Sequence, residues 1–375
     1  LKIVIPGPVE LESQVLLEMA RPVMGHRTPD FEDILVKLWD DMKYVFQTGN
    51  DVALITGSGT AGMDAAISST IKEGDEFICI GGGKFGERMG LIVSQYGGVP
   101  RDIKVEWGKA VDPVDVEKAV AESEAKAITL THNETSTGVL HNAAEIGRIA
   151  RENDMLFIMD GVTSVGGDDV QTDKWGVDIC IVGSQKCLAG PPGLAFVAVS
   201  ERAWDVIEDN PTRNFYLDLK KYRKSLKKNT TPFTPSVTLI YGMAKALEAI
   251  RKEGLEARIK RHRSLARAMR EAAVAMGVEL FAEEGAYSNT VTAMKIPEGL
   301  TDDDVRGRMK REHGILMAGG QEHVKGKIFR IGHMGNFTQG DLMSTISALE
   351  MVLLEGGLDF GPGSGLAAAQ KVFSS

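Results

Sequence analysis

Met155-Leu156-Phe157-Ile158-Met159-Asp160 and, nineteen residues on, Ile179-Cys180-Ile181-Val182-Gly183-Ser184-Gln185-Lys186 decide the fold of this chain. Each is a short apolar run that ends on polar residues. A strand with one wet face alternates apolar and polar side chains; a short run without alternation suits a strand covered on both faces. Similar runs occupy residues 52–56, 77–80, 127–131 and 194–199, and helical patterns lie between them at 60–71, 86–96, 115–122 and 144–153. This alternation of strand and helix predicts an α/β fold with an open, mostly parallel sheet covered by helices.

The pattern changes after residue 200. Residues 202–230 are rich in charge, with Lys220-Lys221 and Lys227-Lys228, and a long helical stretch follows over about 238–276, with Gly254 near its middle. Beyond it, short strands (288–296 and 328–331) alternate with two helices (302–313 and 338–355), which reads as a smaller C-terminal α/β domain. The expected division is an N-terminal segment (1–20), a large domain (21–250) and a small domain (251–375), with a peripheral Gly-, Ala- and Ser-rich tail from 361. A length of 375 residues suits two domains.

Composition narrows the partners. Hydrophobic residues make up 43% and charged residues 25%, so a sizeable core is available, and the formal charge of −9 argues against a nucleic-acid or anionic-membrane surface. No run reaches the roughly 18 apolar residues of a membrane span. The first eight residues hold no apolar stretch long enough for a secretory signal, so cytoplasm is the expectation. Cys79, Cys180 and Cys187 are odd in number and lack CxxC spacing, which suits free thiols in a reducing compartment; the seven histidines form no metal-ligand motif.

Two stretches match G-x-G-x-x-G: Gly57-Ser58-Gly59-Thr60-Ala61-Gly62 and Gly81-Gly82-Gly83-Lys84-Phe85-Gly86. Both follow an apolar run and open a helix, as a dinucleotide fingerprint does, so a nicotinamide-dependent oxidoreductase is a competing reading. The acid that would hold the ribose is missing after the first motif; after the second, Glu106 stands at a plausible place. The first motif suits a simpler role. Ser58, Gly59 and Thr60 begin a helix, where free N–H groups, hydroxyls and the helix dipole favour a phosphate.

Asp160 and Lys186 name the chemistry. Consecutive strands deliver an acid and a lysine to one sheet edge, where α/β proteins bind ligands. A lone lysine in a loop is ordinarily solvated, but Lys186 stands in a nearly uncharged turn, Gly183-Ser184-Gln185 before it and Leu188-Ala189-Gly190-Pro191-Pro192-Gly193 after it. Pyridoxal phosphate asks for this pair: a lysine to take its aldehyde as a Schiff base, and a carboxylate to keep its pyridine nitrogen protonated. Desolvation lowers the lysine's pKa and leaves a neutral amine that attacks and moves protons.

At these motifs the chain resembles the class V aminotransferases of fold type I, and within them the alanine–glyoxylate and serine–glyoxylate (serine–pyruvate) group. The likeness rests on Gly57-Ser58-Gly59-Thr60-Ala61-Gly62-Met63, Phe85-Gly86-Glu87-Arg88, Glu134-Thr135-Ser136-Thr137-Gly138-Val139, Asp160 with Ser164-Val165-Gly166-Gly167, Gly183-Ser184-Gln185-Lys186 with Pro191-Pro192-Gly193-Leu194, and Phe329-Arg330-Ile331-Gly332. It runs from about residue 6 to 355. The resemblance implies a pyridoxal-phosphate transaminase with Lys186 as the Schiff-base lysine and proton carrier and Asp160 as the pyridinium partner. It implies that Ser58, Gly59, Thr60 and Gln185 hold the phosphate, that Phe85 and Val162 cover the two ring faces, and that Thr135 lies by the phenolic oxygen. It further implies a homodimer in which Thr234 reaches the other subunit's phosphate, a carboxylate clamp at Arg330, and close passage of Gly7 to the substrate. The expected reaction moves an amino group from alanine, serine or aspartate to glyoxylate or pyruvate in two stages.

Three positions depart from the family pattern. Phe85 stands where some relatives have tryptophan, Thr231 where a phosphate-binding tyrosine is frequent, and Cys187 where alanine is usual. Thr231 puts that phosphate contact in doubt, and Cys187 reads as a small packing residue. Within the fold, a cysteine desulfurase would need a mobile C-terminal cysteine, and none follows Cys187. A class V lyase remains a further alternative.

Overall fold

The computed structural model describes residues 1–374. Seven strands form one sheet: β1 (Asp51–Thr56), β2 (Glu76–Gly81), β3 (Val99–Lys104), β4 (Ala127–Thr131), β5 (Leu156–Asp160), β6 (Ile179–Gly183) and β7 (Leu194–Val199). Their spatial order is β1-β7-β6-β5-β4-β2-β3. Every pairing is parallel except those of β7, which runs antiparallel to both β1 and β6. Strands β4 to β7 are buried along their whole length, as their unbroken apolar sequences require. Alternate side chains feed two separate cores. Phe157, Met159, Cys180, Val182 and Phe196 pack on one face, and Leu156, Ile158, Ile179, Ile181 and Val197 on the other. Each fully buried side chain of this size contributes about 1.5–3 kcal/mol.

The edge strand β3 escaped the search for apolar runs. Its sequence, Val-Pro-Arg-Asp-Ile-Lys, is largely exposed, and Pro100 is tolerated because only one side of the strand is paired.

Helices cover both faces. Pro29–Phe46 starts with proline in its first turn and presents Phe31, Leu35, Leu38, Met42 and Phe46, at three- and four-residue spacing, to the first core. Gly59–Thr70 lies tightly on the sheet at Gly62, where a Cβ would come within 2.7 Å of Ile181 Cγ2.

The expected helix over 238–276 is two helices, Val237–Glu253 and Leu255–Ala275. Gly254 separates them at φ +84°, ψ 136°, a conformation that other residues adopt only with strain. Residue 251 therefore still lies in the first helix. Beyond the break, three antiparallel strands, β8 (Val291–Lys295), β9 (Ala318–Gly319) and β10 (Ile328–Gly332), assemble in the order β8-β10-β9. Their core includes Leu265, Met269, Phe329, Ile331, Leu342, Ile346 and Leu349. The helix Gln339–Glu355 begins with a reciprocal cap between Thr338 and Asp341.

The tail is not peripheral. Ser364–Ser374 is a helix that packs on Leu255–Ala275, with Ala369 fully buried, and the Gly365 N–H donates to Glu350 Oε1 at 2.6 Å. The small residues that suggested a peripheral tail allow close helix packing instead. Ser375 lies outside the described residues. At the other end, Lys2–Ile3 pairs in parallel with Ile315–Leu316, and the chain then runs over the C-terminal edge of β6, where the Val9 N–H donates to the Gln185 carbonyl at 3.1 Å. Among the described residues no helix is long and apolar enough to cross a membrane.

Candidate active site

Parallel pairing places Asp160, the last residue of β5, beside Thr131 at the C-terminal end of β4 and beside Ile181 in the middle of β6. The Asp160 side chain is buried, accepting the Val162 N–H at 2.9 Å and a long contact of 3.4 Å from Thr131 Oγ1. Among the described residues no cation forms an ion pair with it. Burial pushes its carboxyl up to about 7, against the pull of the Val162 N–H and the Arg88 charge.

Lys186 follows β6 in a turn held by its own backbone: Gly190 N–H donates to Ser184 O at 2.8 Å and Ala189 N–H to Lys186 O at 2.9 Å. Its Nζ donates to the Pro6 carbonyl. Burial lowers its amine to about 8, with the Arg330 charge acting in the same direction and Asp160 in the opposite one. Asp160, Lys186 and Arg330 thus share one field. Gly7 crosses above the amine at φ +89°, and a Cβ there would lie 2.8 Å from Lys186 Cε and 2.9 Å from Nζ. Only glycine combines that backbone with that approach.

Ser58 is exposed at the start of Gly59–Thr70, in extended conformation, with its hydroxyl unused as a cap. Gly59 meets Val162, whose Cγ2 would stand 2.8 Å from a Cβ. Thr60 Oγ1 accepts from Arg88 at 3.0 Å. Gln185 has a buried Oε1 without a partner; rotating the amide presents its NH2 group instead, a donor for an anion. Open donors at a helix N-terminus, an unpaired buried carboxylate and a desolvated amine fit the phosphate, ring nitrogen and aldehyde of pyridoxal phosphate.

The second glycine motif serves another purpose. Glu134 is fully buried and its carboxylate sits at the N-terminus of the helix Lys84–Gln95. It accepts the N–H groups of Phe85 (3.0 Å), Gly86 (2.9 Å) and Ser136 (3.1 Å) and the Ser136 hydroxyl (2.6 Å). A Cβ at Gly83 would come within 2.6 Å of Ser136 Oγ and collide with the Glu134 side chain. The anion site that a pyrophosphate would need is filled by the chain itself. Glu106, the acid placed for the ribose, is instead exposed and paired with Lys109 at 2.7 Å. Phe85 is half-buried, with the Arg88 Cζ 4.8 Å from its ring centroid.

Thr135 is buried, its hydroxyl 2.9 Å from that of Thr163. Its carbonyl accepts from Arg330 NH1 at 2.8 Å, while Arg330 Nε and NH2 donate to the Gly319 carbonyl at 3.0 and 2.7 Å. Arg330 projects from β10, the central strand of its sheet, and is buried, so its pKa falls to about 10. Among the described residues no carboxylate pairs with it. Thr234 is exposed on a loop and forms no hydrogen bond among the described residues. The Thr231 hydroxyl is spent within the same loop, on the Phe233 carbonyl at 2.8 Å.

The sequence patterns left out the Pro6 carbonyl and the Glu134 anchor. A usable signal for Glu134 was the run Gly81-Gly82-Gly83, which leaves space that something else must fill. Cys187 is buried, as its packing assignment expected, and its Sγ lies 3.3 Å from the Thr163 carbonyl.

The family model of the class V aminotransferases matches residues 17–336. This chain is a class V aminotransferase. An uncharacterized aminotransferase of Methanocaldococcus jannaschii is 48% identical, with 99% of this chain and 97% of that one aligned. A Synechococcus protein named as a soluble hydrogenase small subunit is 41% identical, over 100% and 98%. The crystal structure of the ureidoglycine–glyoxylate aminotransferase of Bacillus subtilis superposes with a TM-score of 0.95 at 33% identity, covering 100% of this chain and 98% of that one. Other relatives are named as aspartate–glyoxylate and serine–glyoxylate aminotransferases. The fold is therefore that of the fold type I enzymes, the cofactor of this aminotransferase is pyridoxal phosphate, and its substrates are amino acids and 2-oxo acids.

Proposed function

We propose that this enzyme transfers the amino group of a small amino acid (alanine, serine or aspartate) to glyoxylate or pyruvate, using Lys186 as its central base. The observation that carries the reading is the convergence of the buried Asp160 and Arg330 on the half-buried, largely desolvated Lys186 amine, none of the three having a side-chain ion-pair partner among the described residues. Each such group is costly to bury alone, and each is matched by one part of an amino acid bound to the cofactor.

When bound, pyridoxal phosphate supplies an electron sink for the substrate Cα. Lys186 would hold the cofactor through its aldehyde carbon in the resting enzyme. Once released by the substrate amine, its Nζ would be the base that takes the Cα proton and delivers it to the cofactor's aldehyde carbon, and burial, which lowers its pKa to about 8, favours the neutral amine this needs. The Pro6 carbonyl keeps that amine directed into the site. Asp160 would hold the proton on the ring nitrogen, Phe85 and Val162 would confine the ring, and Thr135 would lie by its phenolic oxygen. Ser58, Gly59, Thr60 and Gln185 would bind the phosphate.

Arg330 binds the substrate carboxylate through its planar fork. Amino and oxo acids both carry that group, so one cation serves both half-reactions. The Gly7 backbone passes directly over the Lys186 side chain, close to where the substrate would lie. The glyoxylate-using relatives support the choice of acceptor. We also assign a homodimer in which the exposed Thr234 reaches the other subunit's phosphate, and the division into segment 1–20, large domain 21–250 and small domain 251–375.

A panel of alanine, serine and aspartate against glyoxylate, pyruvate and 2-oxoglutarate tests the reading. Transfer to glyoxylate or pyruvate from at least one of these donors is expected, and Lys186→Ala should abolish it. Transfer confined to 2-oxoglutarate, or α,β-elimination without transfer, would contradict it.

A further inference from the structure

The proposed phosphate cradle has a charge deficit. A phosphate ester carries about −1.5 to −2 at neutral pH. Ser58, Gly59, Thr60 and Gln185 offer only neutral donors, and a helix N-terminus supplies the equivalent of about half a positive charge. Burying a dianion against these groups alone leaves much of its charge uncompensated.

One cation stands at the cradle. Arg88 extends from the helix Lys84–Gln95, half-buried, and its NH1 donates to Thr60 Oγ1 at 3.0 Å. Its Cζ lies 4.8 Å from the Phe85 ring centroid, and its charge is felt at Asp160. These observations place it between the proposed phosphate and ring sites. Among the described residues no carboxylate forms an ion pair with it. The neighbouring Glu87 instead accepts from Trp107 Nε1 at 2.9 Å. Of the five N–H donors of a guanidinium, the Thr60 bond uses one.

We infer that Arg88 is a cofactor-binding residue that supplies the positive charge for the phosphate, alongside Thr60. The inference rests on the phosphate cradle proposed above. A guanidinium bonded to the Thr60 hydroxyl also fixes that side chain, and its contact with the Phe85 ring leaves the arginine less side-chain freedom to lose on binding.

Pyridoxal, which lacks the phosphate, separates this role from a merely structural one. Apoenzyme of wild type and Arg88→Gln would be titrated with pyridoxal phosphate and with pyridoxal, following the change in absorbance. The variant should lose about ten- to a hundred-fold in affinity for pyridoxal phosphate, the scale of a charge-assisted hydrogen bond, and bind pyridoxal as wild type does. Unchanged affinity for pyridoxal phosphate overturns the inference, and so does an equal loss for both compounds, which would place Arg88 at the ring. Should Arg88→Gln fail to fold, Arg88→Met decides by the same ratio: a neutral, apolar side chain of similar reach should favour pyridoxal phosphate over pyridoxal less than wild type does, and an unaltered ratio overturns the inference. Wild-type apoenzyme that binds neither compound would instead remove the cofactor assignment on which the inference depends.

Discussion

Burial moves Asp160 up to about 7 and Lys186 down to about 8, so both titrate near neutrality although they begin far apart. Each shift has a cost in the apoprotein. Between pH 4 and 7 the unfolded chain has ionised Asp160 while the native state still holds its proton, so stability falls as pH rises and the cost is complete above 7. Lys186 has the opposite slope: its native amine loses a proton near 8 while the unfolded one keeps it to about 10.4, so its cost is complete below 8 and fades as pH rises through that window. Asp160→Asn should therefore stabilise the apoprotein at pH 8 by about 2–4 kcal/mol, a gain that closes as pH falls towards 4, while transaminase activity drops. Urea unfolding of the two apoproteins across pH checks this; equal stability at pH 8 would contradict it. Both residues were legible in the sequence because Asp160 ends an apolar run and Lys186 stands in the uncharged turn that follows the next one. The Pro6 carbonyl that holds Lys186 was not, since a backbone group brought across the fold leaves no mark of residue type.

At the scale of elements, the turn before Lys84–Gln95 depends on one buried carboxylate. Glu134 answers the Phe85, Gly86 and Ser136 N–H groups together. Glu134→Ala leaves these donors without their acceptor and should destabilise the protein by about 2–4 kcal/mol in urea unfolding. Gly83→Ala should do the same, because its Cβ would take the carboxylate's place. A loss below about 0.5 kcal/mol in Glu134→Ala would show that water replaces the side chain. The buried strands β4 to β7 were readable because burial on both faces writes itself as continuous apolar sequence. The edge strand β3 was not, since half of its surface is wet and its residues look like those of a loop. The split at Gly254 was visible as a glycine but not as a break, because periodicity continues across it while the backbone turns.

Across the whole molecule, the proposed site lies where three parts of the chain meet. The N-terminal segment contributes the Pro6 carbonyl, the main sheet contributes Asp160 and Lys186, and β10 contributes Arg330, which reaches back to the Thr135 carbonyl. Arg330→Ala should raise KM for both the amino acid and the oxo acid by about a hundred-fold, the loss of a bidentate carboxylate contact. Unchanged KM for both substrates would remove its proposed role. The sequence placed Arg330 on a strand; that strand's central position, and so the arginine's burial, depends on long-range pairing with β8 and β9 that local pattern does not encode. The tail helix was misread for the same reason, its small residues taking meaning only from the helix beneath them.

The central claim is that Lys186 carries the cofactor. Borohydride reduction of the holoenzyme fixes pyridoxal phosphate to the amine that holds it, and mass mapping of the peptides then locates the modification. Labelling at Lys186, absent after prior incubation with a reactive amino acid, is the predicted result. Stoichiometric labelling of a different lysine, or an active enzyme with Lys186 unmodified, would contradict the account.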